Sequence, residues 1–388
     1  MRVVVATRNT SGLPDFPGNV WVPLQYVAGL QRLGIEALWV DRQDAHDPRL
    51  AARECRTLPH RDAHSVEYVV RRFELIAREF GFAGRWCIVY DGGARHFGMG
   101  RAELEQAAAE SDLLINIAGH IEPDSPLLRI PRRAYVDVDP GFTQMWSQQV
   151  DLGLGRHTDF FTVGQNVGRP SSRIPTSGVE WRQILPPVAL DLWPASIDAS
   201  CSRFSTIADW RGSQQVRFGG EYYGGKRSEF LRFLDVPQRA GVAVEIALCI
   251  GQHDHEDLGL LLKHGWCVRE PYLYAGDLHS YREFIRFSRA ELSVAKSGYV
   301  KAESGWMSDR TACYLASGKP AVVQSTGVEE HLPTGRGLLA FSTLDEALAA
   351  IEAVEGDYLN HCRAARRLAE EHFNSDLVLG SMLERAVA

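Results

Sequence analysis

Short apolar runs alternating with amphipathic stretches constrain this chain more than any other feature. Runs at residues 3–6, 37–40, 86–90 and 113–117 are separated by helical patterns near 23–33, 66–80 and 101–110, and further apolar runs follow at 134–137 and 160–163. A strand buried on both faces reads as a continuous apolar run, and a helix covering it shows one apolar stripe, so the pattern predicts βαβ units around a parallel sheet. A turn-rich stretch at 166–178 and the proline-bearing ILPPVALDLWP at 184–194 interrupt the rhythm. It restarts at 204–208 and continues through a helix near 226–234, runs at 242–249, 291–295, 320–324 and 337–341, and a helix near 258–264. The expected fold class is therefore α/β, with two doubly wound, Rossmann-like domains facing across a cleft. The expected boundaries are 1–185 for the first domain, 186–203 for a linker, 204–365 for the second domain and 366–388 for a terminal helix able to cross back to the first. A chain of 388 residues is long enough for two cores of ordinary size.

Charge and cysteine usage narrow the function. A net charge of -7 gives no basic surface for a phosphate backbone, so no nucleic-acid partner is expected. The seven cysteines show no paired short spacing and are expected to be reduced core residues, as in a cytoplasmic protein. No stretch approaches the roughly 20 apolar residues of a membrane span, so no integral membrane association is expected.

The segment 291–351 carries most of the chemistry. It reads as a strand, a Gly/Ser loop, a helix, a short strand, a glycine turn, then a strand and a helix opened by the capping box Thr343-x-x-Glu346. A loop feeding a helix amino terminus, flanked by Lys296, Lys301 and Arg310, describes a diphosphate pocket of amide hydrogens, a positive helix end and fixed cations.

The series Ser304-Gly305-Trp306-x-Ser308, Leu315-Ala316-Ser317-Gly318-Lys319-Pro320, Ser325-Thr326-Gly327 and Gly337-Leu338-Leu339, set in the second of two nucleotide-type folds, resembles the donor domain of GT-B glycosyltransferases. The resemblance implies a Leloir-type enzyme that moves a sugar from a nucleotide diphosphate to a hydroxyl acceptor in the cleft, without metal or cofactor. A UDP or dTDP sugar is the expected co-substrate, and a natural product or glycan the expected acceptor. The sequence departs from the family pattern at Cys313, where many retaining members carry a ribose-binding Glu, and at Glu303, where many inverting members carry a His.

The departing diphosphate must be met by cations and N–H dipoles. Donor contacts are expected from Lys301, Ser304, Gly305, Trp306, Ser308, Asp309, Arg310, Thr326, Gly327 and Glu329, with Gly225 and Lys226 from the loop before the second domain's first helix. The acceptor hydroxyl needs a base at a strand end of the first half. The candidates are His120 and Asp15, with Asp139 also at a strand end; Asp15 sits in an extended, Gly- and Pro-rich loop after the first strand. Trp21, Phe142, Trp146 and Phe160 would suit an apolar acceptor if they faced the cleft.

Two other signals have plainer readings. Asp137-Val138-Asp139 has the spacing of a cation-binding pair, but in a fold with one nucleotide sheet rather than two. His253-Asp254-His255-Glu256-Asp257 opens a helix, where acidic residues are favoured by the dipole. Two other functions suit the same architecture: a nucleotide-sugar 2-epimerase, and a non-catalytic nucleotide or glycan binder.

Overall fold

The computed structural model describes residues 1–10, 16–44, 65–119, 121–212 and 214–387. The first half builds one sheet from β1 (Arg2–Arg8), β2 (Glu36–Gln43), β3 (Trp86–Tyr90), β4 (Arg95–Gly98), β5 (Leu113–Ile117), β6 (Arg132–Asp137), β7 (Asp159–Thr162) and β8 (Arg182–Gln183). Their spatial order is β4-β3-β2-β1-β5-β6-β7-β8. Only β4 runs antiparallel, pairing Cys87 with Gly98 across β3. Val3 pairs with Ala37 on one side and Leu113 on the other, which puts the uninterrupted apolar runs at the sheet centre.

The second half forms β9 (Arg203–Asp209), β10 (Val216–Phe218), β11 (Glu221–Tyr223), β12 (Ala243–Cys249), β13 (Cys267–Arg269), β14 (Ala290–Ser293), β15 (Ala321–Gln324) and β16 (Leu338–Phe341). Six of these make a parallel sheet in the order β13-β12-β9-β14-β15-β16, the doubly wound arrangement whose strand order reverses beside the first strand. β10 and β11 form a separate hairpin, where the sequence suggests only a loop. Three-residue strands built of VRF and EYY are too short to show a period.

The halves share packing as well as a cleft. Trp21 of helix Pro17–Arg32 packs against Trp193 of the connecting segment with ring centroids 4.7 Å apart and planes tilted by 56°, and Trp193 meets Tyr281 of the second half at 6.4 Å. That helix starts at Pro17, six residues before the expected start, because a proline costs nothing at a first helical position whose N–H has no acceptor. The last helix, Ser375–Val387, returns to the first half and lies against it. A Cβ on Gly29 would stand 2.6 Å from Leu379 Cδ1 and 2.7 Å from Ser375 Cβ, so glycine there permits the crossing. Arg32 Nε donates to Asp376 Oδ1 at 2.9 Å at the same contact, and Val188 N to Phe373 O at 2.7 Å beside it. Among the described residues no helix is long and apolar enough to cross a membrane, and the six described cysteines are free thiols.

Candidate functional site

Three basic side chains converge at the carboxyl edge of the second sheet, facing the first half. The 210–226 loop that follows β9 brings in the first of them. Gly225 sits so close to the loop's own start that a Cβ would lie 1.5 Å from Arg211 O, and only glycine allows that closure. Asp254 and Asp257 hold the loop from outside: Arg211 Nε donates to Asp254 at 2.9 Å, Arg227 Nη2 to Asp257 at 2.8 Å and Trp210 Nε1 to Asp257 at 2.9 Å. The acidic run 253–257 thus ties down arginines and an indole rather than only starting its helix.

The closure turns Lys226 inward, where it is 8% exposed and makes no hydrogen bond or ion pair among the described residues. Burial, with Arg310 and Lys296 nearby, pulls its pKa down to about 7, partly opposed by Glu291 and Asp209. A buried ammonium with no ion pair among the described residues is costly.

Arg310 is anchored differently from the sequence expectation. Its Nε donates to Glu291 Oε1 at 2.7 Å, Nη1 to Ile207 O at 2.6 Å and Nη2 to Ser293 Oγ at 2.9 Å. Its charge therefore reaches the site through space while its N–H groups are engaged by the sheet ends. Lys296, just beyond β14, donates to Asp139 Oδ1 at 3.0 Å and to Tyr299 Oη at 3.1 Å. Tyr299 Oη also donates to Asp139 Oδ1.

The turn before helix Asp309–Ala316 is filled by the first half. Asn166 N donates to Ser304 O at 3.2 Å, Asn166 Nδ2 to Glu303 O at 2.7 Å and Gln165 N to Gly305 O at 3.4 Å. A Cβ on Gly305 would meet Asn166 N at 2.9 Å, and one on Gly327 would meet Asn166 Nδ2 at 2.7 Å. Both glycines have positive φ, so they are fixed by this interdomain approach as well as by their own turns. Ser304 is wholly buried, and its Oγ has no partner among the described residues. His331 Nε2 lies 2.6 Å from Asn166 Oδ1, completing the contact.

The remaining expected residues divide between cleft and scaffold. Trp306 stacks on Tyr299 at 4.2 Å, and Thr326 Oγ1 donates to Trp306 O at 2.5 Å, so both shape the cleft wall. Ser308 caps its helix by accepting from Arg310 N at 3.2 Å. Asp309 follows it, and burial pushes its carboxyl pKa above the ordinary range. It lines a small interdomain cavity of about 30 Å³ with Trp21, Tyr26, Val138, Met307 and Cys313. Lys301 points away, donating to Tyr222 O at 2.9 Å and bracing the hairpin. Glu329 is exposed and accepts from Ser325 Oγ. His120 and Asp15 lie outside the described residues.

Asp137 does not share a site with Asp139. It is fully buried in the first half, accepting from Gln144 Nε2 at 2.8 Å and Thr162 Oγ1 at 2.7 Å. Of the aromatic candidates, Trp21 reaches the interdomain cavity, Phe142 packs on Tyr299, and Phe160 packs on Trp181. Tyr299 and Asn166 are the partners that sequence reasoning missed. The helical run SGYVKA gives no sign that its tyrosine meets a carboxylate 160 residues away.

Two parallel sheets, one with an added antiparallel edge strand, face each other across a cleft, and cations gather at the carboxyl edge of the second. The chain matches solved structures along nearly its whole length. An alpha-glucosyltransferase in complex with UDP matches with TM-score 0.59 at 12% identity, over 100% of both chains. The Anabaena protein HepE in complex with UDP matches with TM-score 0.55 at 10% identity, over 99% of each. The fold is that of the GT-B glycosyltransferases. No family model and no curated protein matches the sequence.

One GT-B match corrects the expectation about nucleic acid. An alpha-glucosyltransferase solved with UDP and a 13-mer DNA containing a central A:G mismatch matches with TM-score 0.60 at 12% identity, over 100% of both chains. A protein of this fold is thus solved with DNA, and the expectation of no nucleic-acid partner does not stand. Phosphate contacts depend on a local basic patch, which an average over 388 residues conceals.

Proposed function

We propose that this protein is a glycosyltransferase that transfers a hexose from a uridine diphosphate sugar to a hydroxyl-bearing acceptor bound in the cleft. The observation that carries the reading is Lys226: a buried amine with no hydrogen bond or ion pair among the described residues, beside Lys296 and Arg310, at the edge of the sheet where this fold takes its nucleotide. A diphosphate placed there would supply the missing counter-charge, and the same cations would stabilise the charge that develops as the glycosidic bond to phosphate breaks. UDP and UDP-glucose are bound by proteins of the same fold, which supports uridine diphosphate as the leaving group.

In this reading Lys226 and Lys296 contact the diphosphate, Arg310 contributes charge from behind, and Gly225 sets the loop. Ser308 and the start of its helix face the phosphates, and Trp306 with Thr326 borders the sugar. Asp309 remains compatible with an anionic ligand because burial favours its neutral form. The protonated cluster provides the neutralisation that a divalent ion supplies in other transferases. The free thiols among the described cysteines support a reducing, cytoplasmic setting.

The test is a calorimetric titration of UDP, followed by incubation with UDP-glucose and detection of released UDP. Binding in the micromolar range with slow UDP release is the expected outcome. Absence of binding to UDP and to other nucleoside diphosphates would refute the reading.

A further inference from the structure

Asp139 belongs to the first half, yet its carboxylate is engaged wholly by the second. Its Oδ1 accepts from Lys296 Nζ at 3.0 Å and from Tyr299 Oη, and its Oδ2 accepts from Gln214 Nε2 at 3.4 Å. The backbone beneath is fixed: Asp139 N donates to Asp137 Oδ1 at 3.0 Å, and Thr143 N donates to Asp139 O at 3.0 Å. A carboxylate held two residues beyond β6 thus touches a lysine of the cation cluster across the cleft.

We propose that Asp139 is the general base for the acceptor and that Lys296 occupies it until a nucleoside diphosphate takes the lysine over. This deepens the glycosyl-transfer reading and rests on it. Among the described residues Lys226 makes no ion pair, and Lys296 pairs with Asp139 while also donating to Tyr299 Oη. When diphosphate oxygens bridge Lys226 and Lys296, the ammonium exchanges one anionic partner for another, and Asp139 becomes free to accept from the acceptor hydroxyl. The carboxylate then takes the hydroxyl proton, the acceptor oxygen bonds to the anomeric carbon, and the bond from that carbon to the phosphate oxygen breaks. The electron pair remains on the diphosphate beside the two lysines.

Electrostatics agree with this order. Burial alone would raise the Asp139 pKa, but Lys296 and the Tyr299 hydroxyl outweigh it and hold the carboxyl below the ordinary range, which makes a weak base. The other charged groups facing it are Asp137 at the end of β6 and Asp309 at the helix start, both of which oppose ionisation. Removing Lys296 from the pair therefore raises the basicity of Asp139 when donor is bound.

Asp139→Asn separates the two roles, because the amide is isosteric and still accepts from Tyr299. UDP affinity measured by calorimetry should rise about tenfold, since Lys296 no longer has a competing carboxylate. Release of UDP from UDP-glucose to water should fall at least a hundredfold, and the loss of rate toward acid pH expected of the native protein should be absent from the variant. Unchanged or weaker UDP affinity in a variant with native melting temperature would overturn the latch, and retained UDP release would overturn the base. If the native protein itself neither binds UDP nor releases it from UDP-glucose, the glycosyl-transfer reading falls, and this proposal falls with it.

Discussion

Replacing Lys226 by methionine should make the protein more stable and worse at binding its donor. The side chain keeps its length and apolar stem but loses a charge that is 8% exposed and has no partner among the described residues. Burial, Arg310 and Lys296 together bring the lysine from its ordinary 10.5 to about 7, which converts at 1.36 kcal/mol per pH unit to about 5 kcal/mol. The sign follows from linkage: below pH 7 the lysine is charged in both folded and unfolded chains, and the full penalty is present. Between pH 7 and 10.5 the folded lysine is neutral while the unfolded one is charged, so the penalty shrinks by about 1.4 kcal/mol per pH unit. Urea unfolding should therefore show Lys226→Met more stable than the native protein by up to about 5 kcal/mol at pH 6, falling to about 2 kcal/mol at pH 9. UDP affinity at pH 6 should drop by about 1.5–3 kcal/mol, or roughly 10- to 150-fold, the worth of a charge-assisted contact. A variant that binds UDP as tightly as the native protein, or gains no stability at acid pH, would refute the reasoning.

Arg310→Ala should destabilise the fold by about 3–5 kcal/mol in urea unfolding, because it strands the fully buried Glu291 without its ion pair. Gly225→Ala should abolish most UDP binding in a calorimetric titration, since the added Cβ would drive the loop off Arg211 O and withdraw Lys226. Lys301→Ala should change UDP affinity by less than about 0.5 kcal/mol, because the exposed side chain braces the 216–223 hairpin outside the cleft.

The fold was largely legible in the chain. Strands such as WCIVY and LLINI are apolar enough to mark central positions in a parallel sheet, and the structure places them at Trp86–Tyr90 and Leu113–Ile117. The polar edge strand Arg95–Gly98 and the hairpin around Tyr222 were not legible, because edge and two-stranded elements need no apolar period.

Sequence alone determined that this chain makes two nucleotide-type sheets, since each strand and its covering helix bury their apolar faces locally and leave a periodic trace. It also marked the basic and glycine residues from which a phosphate site is assembled. Only the tertiary structure decided their roles. Arg310 was drawn onto Glu291, Lys301 was turned outward, and Lys226 was buried with no ion pair among the described residues. Asn166 was seated against Gly305 and Gly327, and Asp139 was brought to Lys296, 157 residues away. Such pairings arise from the docking of two domains, and nothing in the local pattern of either partner records it.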